Sequence, residues 1–400
     1  MRVLTIGNLY PPHHFGGYEG IWQSAVEHLR AGGHDVSVLA IDYRHDGVTD
    51  AEDPDVHRDL RWYWREHEFV TFSLADRIRL ERHNHAVLAC ALRELRPDVV
   101  SFWSMGGMSH SLIEAVRRRH IPTVFFVFDQ WLDYGRFTDQ WSRLFYGPRR
   151  RVAGPLARYV TGLPTRVDYG AAGRYVFGSE FLARRAAQLP FELYDTAVDK
   201  AGIDLAMFTA DGEPDWAWRT LHVGRLHPDK GIHDAVAALE RLPAQATMTF
   251  AGSWDPREER VLQEQVQRLG LGARVRMLGQ LAPEQIAALY RRHDVLLFPV
   301  QWDEPWGLVP LEAMACGCPV IATGRGGSGE YLRSGENCVL VPTSNPDALA
   351  AAVQQLADAP QLRARVRRGG RETAQRYPQS SYNARVEHHL AWAAARPPMS

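Results

Sequence analysis

Short apolar runs alternate with helix-length amphipathic stretches along this chain, and the alternation runs through twice. That rhythm constrains the fold more than any other feature. Strands separated by helices must pair in parallel and be covered by helices on their faces. In the first half, Arg2–Gly7, Asp35–Ile41, Asp98–Trp103, Thr123–Phe128 and Arg174–Gly178 read as strands. Gly20–Ala31, Arg77–Leu95 and Ser109–Arg119 carry apolar residues at helical spacing. The rhythm restarts with strands over Thr220–Gly224, Thr247–Gly252, Arg274–Gly279, Asp294–Pro299, Pro319–Thr323 and Cys338–Pro342. Helices are expected over Gly231–Arg241, Glu258–Leu269, Pro283–Arg292 and Leu308–Cys316. Between the halves, Asp199–Ala217 holds turn residues such as Asp211-Gly212-Glu213-Pro214, and the linker is placed there. The end reads as helical from Pro346, interrupted at Tyr377-Pro378. The expectation is an α/β chain of two doubly wound, Rossmann-like domains, residues 1–198 and 199–376, followed by a segment 377–400.

Composition narrows the function classes. A length of 400 residues, 45% apolar and 23% charged, suits two globular domains and excludes a disordered chain. A formal net charge of -1 argues against a dedicated nucleic-acid binder. Cys90, Cys316, Cys318 and Cys338 are too few for a disulfide scaffold and form no CxxC pair, which points to a reducing compartment. No stretch reaches the ~18 apolar residues of a membrane span. The start, MRVLTIGNLYPP, lacks the core of a signal peptide and reads as a first strand, so the expected location is the cytoplasm. Of 46 basic residues only Lys200 and Lys230 are lysines, so a lysine kept against this arginine bias is a candidate for a chemical role.

Three stretches carry the chemistry. In Glu304-Pro-Trp-Gly-Leu-Val-Pro-Leu-Glu312, one carboxylate precedes a turn and the other falls inside a helix. A fully helical separation of that size is about 12 Å along the axis. Glycosidase carboxylates are roughly 5–10 Å apart, so this pair suits the two ends of a long ligand better than acid and base at one bond. The amides of Gly307 and Leu308 open the helix, where an anion is favoured. The second stretch, Gly224-Arg225 through Lys230-Gly231, follows a strand and offers a forked donor and a point charge. Taken alone it is as readily a solvated loop. The third is the loop from Pro11 to Gly20, where Gly16-Gly17 lets a phosphate approach the backbone. It is neither GxGxxG nor a P-loop, and by itself reads as a tight turn.

Together these stretches resemble the retaining nucleotide-sugar glycosyltransferases of family 4, of GT-B fold. The resemblance runs in order through Gly16-Gly17, Gly202-Ile203-Asp204 to Phe208, Gly224-Arg225 with Lys230, Phe298-Pro299, the Glu304…Glu312 pair and Gly326-Gly327. It implies two domains facing across a cleft, acceptor-side over 1–198 and nucleotide-sugar-binding over 199–376. A final helix, about Ser381–Ala395, would return to the first domain. It also implies that Arg225 and Lys230 bind the donor diphosphate, with Gly16 and Gly17 approaching it from the other domain. Glu304 would bind donor-sugar hydroxyls near the Gly307 and Leu308 amides, and Glu312 the ribose. No metal or further cofactor is implied. The family's histidine near the donor sugar has no counterpart: Phe128 stands in its place, with Asp129 the nearest polar residue and His110 a second.

Other features are weaker. Arg149-Arg150-Arg151 with Arg158 and Arg166 reads as a solvated basic face, with anionic lipid or an acceptor phosphate as the alternative. Trp62, Trp64, Trp103, Trp131 and Trp141 load the first half with tryptophan. Trp103 reads as core and Trp131 as a loop residue near the cleft. Cys316 and Cys318 read as buried structural thiols, and the histidine pairs form no recognised metal motif. The expected activity is transfer of a hexosyl unit, with retention, from a UDP- or GDP-sugar to a small metabolite, natural product or glycan. Peripheral membrane contact is compatible with it; no nucleic acid partner is expected, and oligomeric state is left open. The alternatives are a sugar-nucleotide epimerase of the same architecture or a catalytically idle nucleotide-sugar-binding protein.

Overall fold

The computed structural model describes residues 1–14, 16–45, 47–49, 53–65, 68–147, 153–212, 214–253 and 256–396. The chain divides into two compact units, Met1–Asp199 with Asn383–Ser400, and Lys200–Tyr382.

In the first unit the strands are β1 (Arg2–Ile6), β2 (Asp35–Ile41), β3 (Val56–Leu60), a short hairpin of β4 (Trp64–Arg65) and β5 (Glu68–Phe69), β6 (Val99–Phe102), β7 (Thr123–Val127), β8 (Arg174–Phe177) and β9 (Asp195–Val198). Its helices are α1 (Gly17–Ala31), α2 (Leu74–Leu95), α3 (Ser111–Arg117), α4 (Trp131–Thr138), α5 (Ala153–Thr161) and α6 (Glu180–Ala186). The main sheet runs β3-β2-β1-β6-β7-β8-β9, parallel throughout. β7 is buried at all five positions, as a strand covered on both faces must be. Register places Phe102 beside Phe125 and Phe125 beside Tyr175, and the three rings stack at 5.2 and 4.3 Å. Each such ring contributes about 1.5–3 kcal/mol by burial.

The second unit holds β10 (Arg219–Val223), β11 (Thr247–Ala251), β12 (Val275–Met277), β13 (Val295–Phe298), β14 (Val320–Ala322) and β15 (Val339–Leu340). Between and after them lie α7 (Ile232–Glu240), α8 (Pro256–Arg268), α9 (Pro283–Arg292), α10 (Leu308–Ala315), α11 (Pro346–Asp358), α12 (Pro360–Ala374) and α13 (Gln379–Ala394). The sheet order is β12-β11-β10-β13-β14-β15, again parallel. In each sheet the order reverses beside its first strand, so β1 with β6, and β10 with β13, flank a switch point. Ligands of open α/β sheets bind at such a crevice, beyond the carboxyl ends of the strands.

The expected strands are present, trimmed by a residue or so at their ends. The edge strands β3 and β9 and the helices α4, α5 and α6 were not anticipated. The C-terminal helical region breaks twice, at Pro360 as well as before α13. The chain passes between units at Asp199/Lys200 and again inside α13, at Tyr382/Asn383. The carboxyl-terminal part of α13 is fastened within the first unit. Glu387 accepts from His28 and His34 at 3.0 Å each, and His389 pairs with Asp199 at 2.5 Å.

Candidate active site

In the second unit the site grows from the loops after β10 and β13. The chain leaves β10 through Gly224 and makes a short 3-10 turn over Pro228–Lys230, which the His227 side chain caps. Gly231 follows at φ +72°, and a Cβ there would lie 2.0 Å from the Pro299 carbonyl oxygen. Only glycine permits this approach, which lays the turn against the end of β13. Gln301 ties the two loops together: its N–H donates to the Asp229 carbonyl, and its side chain to Asp234, both at 2.7 Å. Behind the turn, His222 Nε2 donates to the Lys230 carbonyl at 3.2 Å. Burial keeps that imidazole neutral by pulling its pKa down to about 4.

This framing brings Lys230 and Glu304 together. Lys230 Nζ donates to Glu304 Oε2 at 2.6 Å, and Trp302 Nε1 donates to the same oxygen at 3.0 Å. The ammonium also lies 5.0 Å from the centre of the Trp302 ring. Side-chain exposures of 16% and 12% make this a sheltered pair with polar edges still open to a ligand. The main chain of Glu304 is clamped as well. Its carbonyl accepts from Gly327 N at 2.6 Å, and a Cβ on Gly326 would sit 2.4 Å from that oxygen. Gly307, at φ +86°, caps α10 without a side-chain partner, and its carbonyl accepts from the Tyr331 hydroxyl at 2.5 Å. The first amides of α10, Leu308 onward, form a helix start that favours an anion.

Glu312 lies one turn and a half further along α10, where its Oε2 accepts from the Tyr290 hydroxyl at 2.9 Å. Burial pushes its carboxyl up to about 7, against the opposing effect of the Tyr290 hydrogen bond. Arg225 is exposed, and among the described residues its guanidinium has no hydrogen-bond or ion-pair partner. Since Lys230 and Glu304 neutralise one another, Arg225 and the α10 terminus supply the unbalanced positive charge. Trp302, Tyr290 and Tyr331 were not singled out from sequence, although Trp302 stands only two residues before Glu304.

In the first unit, Gly16 and Gly17 are exposed at the start of α1, with no side-chain cap on the helix amides. Phe15 lies outside the described residues. Asp129 follows β7. Its Oδ2 accepts from Tyr134 at 3.0 Å and Ser104 at 3.3 Å, and its Oδ1 from Trp131 N at 3.1 Å. Burial nonetheless pushes this carboxyl up to about 6. Phe128 is buried, edge-on to Tyr18 at 5.4 Å. His110 belongs to the interior: it is fully buried, with Nδ1 2.7 Å from the Tyr169 hydroxyl and a Trp131 ring edge-on at 5.2 Å. Trp131 is likewise fully buried at the start of α4, which corrects its expected loop position; its ring lies against those of His110 and Phe125. Trp103 and Trp141 are core, and Cys316 and Cys318 are buried thiols. Arg149-Arg150-Arg151 lie outside the described residues.

Trp62 and Trp64 behave differently. Half-buried, their rings lie 4.6 Å apart, with Tyr43 edge-on to both at 6.2 Å. They line an open pocket of about 770 Å³ with Phe72, Asp42, Arg61 and Asp76 on its walls. Trp62 Nε1 donates to the Gly106 carbonyl at 2.8 Å, and a Cβ on Gly106 would strike the Tyr134 hydroxyl that serves Asp129. The aromatic pocket and Asp129 therefore stand on either side of one short segment, Ser104–Gly107. Among the described residues, no group of three or more His, Cys, Asp or Glu side chains could hold a metal ion. Among them also, no helix is long and apolar enough to cross a membrane.

Comparison with known proteins gives the family. The model of Glycosyltransferase Family 4 matches residues 15–206, and that of Glycosyl transferases group 1 matches residues 208–373. The chain belongs to the family 4-type GT-B glycosyltransferases. This glycosyltransferase is 28% identical to a glycogen synthase of Mycobacterium tuberculosis, over 93% of the chain and 90% of the relative. Over a shorter span, 34% of the chain and 32% of the relative, it is 36% identical to the D-inositol 3-phosphate glycosyltransferase of Rhodococcus opacus. Among solved structures it resembles the sucrose-phosphate synthase of Thermosynechococcus elongatus, with a TM-score of 0.75 at 20% identity, covering 99% of this chain and 100% of that one. The Anabaena protein HepE in complex with UDP and glucose gives a TM-score of 0.71 at 21% identity, covering 98% and 99%. The family models identify the activity class, and the likeness to the solved structures the GT-B fold.

Proposed function

We propose that the protein transfers a hexosyl unit, with retention of configuration, from a UDP- or GDP-hexose to a hydroxyl of a small metabolite or natural product. The observation that carries this reading is the Lys230–Glu304–Trp302 cluster at the β10/β13 switch point, beside the open start of α10. The diphosphate would lie against Arg225, Lys230 and the Gly307–Leu308 amides, with Gly16 and Gly17 closing on it. On arrival it would draw Lys230 away from Glu304 and free that carboxylate for the sugar hydroxyls. Glu312 would hold the ribose. As the sugar–phosphate bond breaks, these preorganised cations stabilise the departing diphosphate, and its own oxygen takes the acceptor proton on the same face. No enzyme nucleophile and no metal enter that scheme. Asp129, in place of the family histidine, would face the transferred sugar.

The HepE complexes with UDP and UDP-glucose support a uridine donor. The Tyr43/Trp62/Trp64 pocket beside Asp129 supports a ring-bearing acceptor of metabolite size. The free thiols at Cys90, Cys316, Cys318 and Cys338 fit work in the cytoplasm. The test is turnover with UDP- and GDP-hexoses in the presence of candidate acceptors, with the product's anomeric configuration read by NMR. An acceptor-linked sugar of unchanged configuration is expected. Inversion would overturn the retaining step; an isomerised nucleotide sugar without acceptor product would overturn transfer itself.

A further inference from the structure

Helix α5 (Ala153–Thr161) in the first unit faces the wrong way for an ordinary surface helix. Its inward side is made of small residues, Gly154, Ala157 and Thr161. Gly154 is buried against Thr165, whose hydroxyl donates to the Gly154 carbonyl at 3.2 Å, and Ala157 packs on the cluster of Tyr63, Trp141, Phe145 and Leu163. Its large apolar side chains point to solvent: Leu156 is 66% exposed, Tyr159 88% and Val160 67%. The spacing i, i+3, i+4 puts them on one face. Water is a poor partner for three such residues side by side.

A second observation stands next to this face. A shallow pocket of about 420 Å³ is lined by Arg118, Pro155, Arg158, Tyr159, Thr165 and Arg166, with no carboxylate in its wall. Arg118 is paired with Glu114 at 2.7 Å. Among the described residues, the Arg158 and Arg166 guanidiniums have no partner. Guanidinium is weakly hydrated and matches phosphate with two parallel hydrogen bonds. An apolar face flanked by unpaired cations fits the boundary of a lipid bilayer, where the apolar side chains enter the acyl edge and the cations meet anionic headgroups. A protein partner is less well matched, because a stable interface needs about 800 Å² per partner and a nine-residue helix offers a fraction of it. A nucleic acid would leave the apolar residues in water.

We propose that α5 and the adjoining arginine pocket dock this protein on anionic phospholipid membranes, with a headgroup phosphate between Arg158 and Arg166. The proposal is independent of the donor site and of the acceptor's identity. It is tested by co-sedimentation of the full chain with vesicles rich in phosphatidylglycerol and with pure phosphatidylcholine vesicles. Binding to the anionic vesicles is expected, weakened by salt and much weaker on the neutral ones. Replacing two cations, Arg158→Glu with Arg166→Glu, should lower partitioning by at least about thirtyfold. Leu156→Glu with Tyr159→Glu should abolish it. Both variants should keep the parent melting temperature, since the altered side chains are exposed. Equal binding to both vesicle types, or none to either, would overturn the proposal. So would a wild-type dimer in solution that the Leu156→Glu, Tyr159→Glu variant breaks, because that face would then be a protein interface.

Discussion

Lys230 and Glu304 gain their meaning from each other. Each neutralises the other in the free protein, and each has a separate partner on a nucleotide sugar. Lys230→Ala should therefore lower turnover by about 10²–10³, the usual effect of removing one donor aimed at a developing anion. A variant with near-normal turnover would show that Lys230 does not face the diphosphate. The two glutamates should separate by titration calorimetry with free UDP. Glu312→Gln should weaken binding by about ten- to a hundredfold, since hydrogen bonds to a charged group contribute roughly 1.5–3 kcal/mol. Glu304→Gln should leave free-nucleotide affinity nearly unchanged and lower turnover with the full donor. Equal weakening by both would break the assignment of ribose to one and sugar to the other.

The Glu312 carboxyl also makes a pH prediction. Its folded pKa, about 7, is raised above its ordinary range, so the protonated form is the one the fold favours. The stability it contributes is complete below about pH 4.5 and is lost as pH rises through 7. Glu312→Gln should then melt higher than the parent at pH 8, and the gap should close by pH 5. Ribose binding needs the carboxylate, so nucleotide affinity in the parent should fall between pH 8 and pH 6, and stay flat in Glu312→Gln. A pH-independent difference in melting temperature would mean that burial does not govern this group.

At the scale of elements, the site depends on how closely two loops approach. Gly231 combines a left-handed φ of +72° with a Cβ position 2.0 Å from the Pro299 carbonyl oxygen. Gly231→Ala meets strain of about 1–2 kcal/mol from the dihedral alone, before the clash adds to it. The turn must shift away from β13, carrying Lys230 from Glu304. The expected result is a melting temperature lower by at least about 2 °C and a marked loss of turnover. Unchanged values for both would show that the β10 and β13 loops need not touch. Gly162→Ala is a control: its φ is also positive, at +75°, but nothing lies within 4 Å of its Cβ position. It should cost stability modestly and leave turnover alone.

For the molecule as a whole, binding and folding are linked. UDP at about a hundred times its dissociation constant should stabilise the native state by about 2.7 kcal/mol, read as a rise in melting temperature. In Glu312→Gln, at the same nucleotide concentration, the stabilisation should shrink to about 0.4–1.4 kcal/mol. Transfer should also persist in excess EDTA, because Arg225, Lys230 and the α10 terminus are proposed to carry the charge a metal would otherwise meet. Loss of turnover restored by magnesium or manganese would reveal a bound ion in the reaction.

What the sequence by itself determined is the architecture and the positions of its chemical groups. A parallel strand covered on both faces is a continuous apolar run, so Thr123–Val127 and Val295–Phe298 are visible as local signals. Helix α9 was legible to the residue, because proline opens it and the apolar spacing ends with Arg291-Arg292. Edge strands carry no such signal: Val56–Leu60 alternates exposed and sheltered positions, and Asp195–Val198 has none fully buried. Helix α5 carries apolar residues at helical spacing, but over nine residues, with Gly154-Pro155 in its first turn, that signal is too short to stand out. The site divides in the same way. Arg225, Lys230, Glu304 and Glu312 were legible as charges at strand ends and on a helix, since spacing along the chain is local. That Lys230 meets Glu304, under Trp302, across 74 residues was decided by the crossover of β10 and β13. That His110 and Trp131 lie in the interior, and that the Glu312 carboxyl is pushed up, was decided by the packing around them. Burial and long-range pairing are properties of what surrounds a residue in space, and only the tertiary structure supplies that environment.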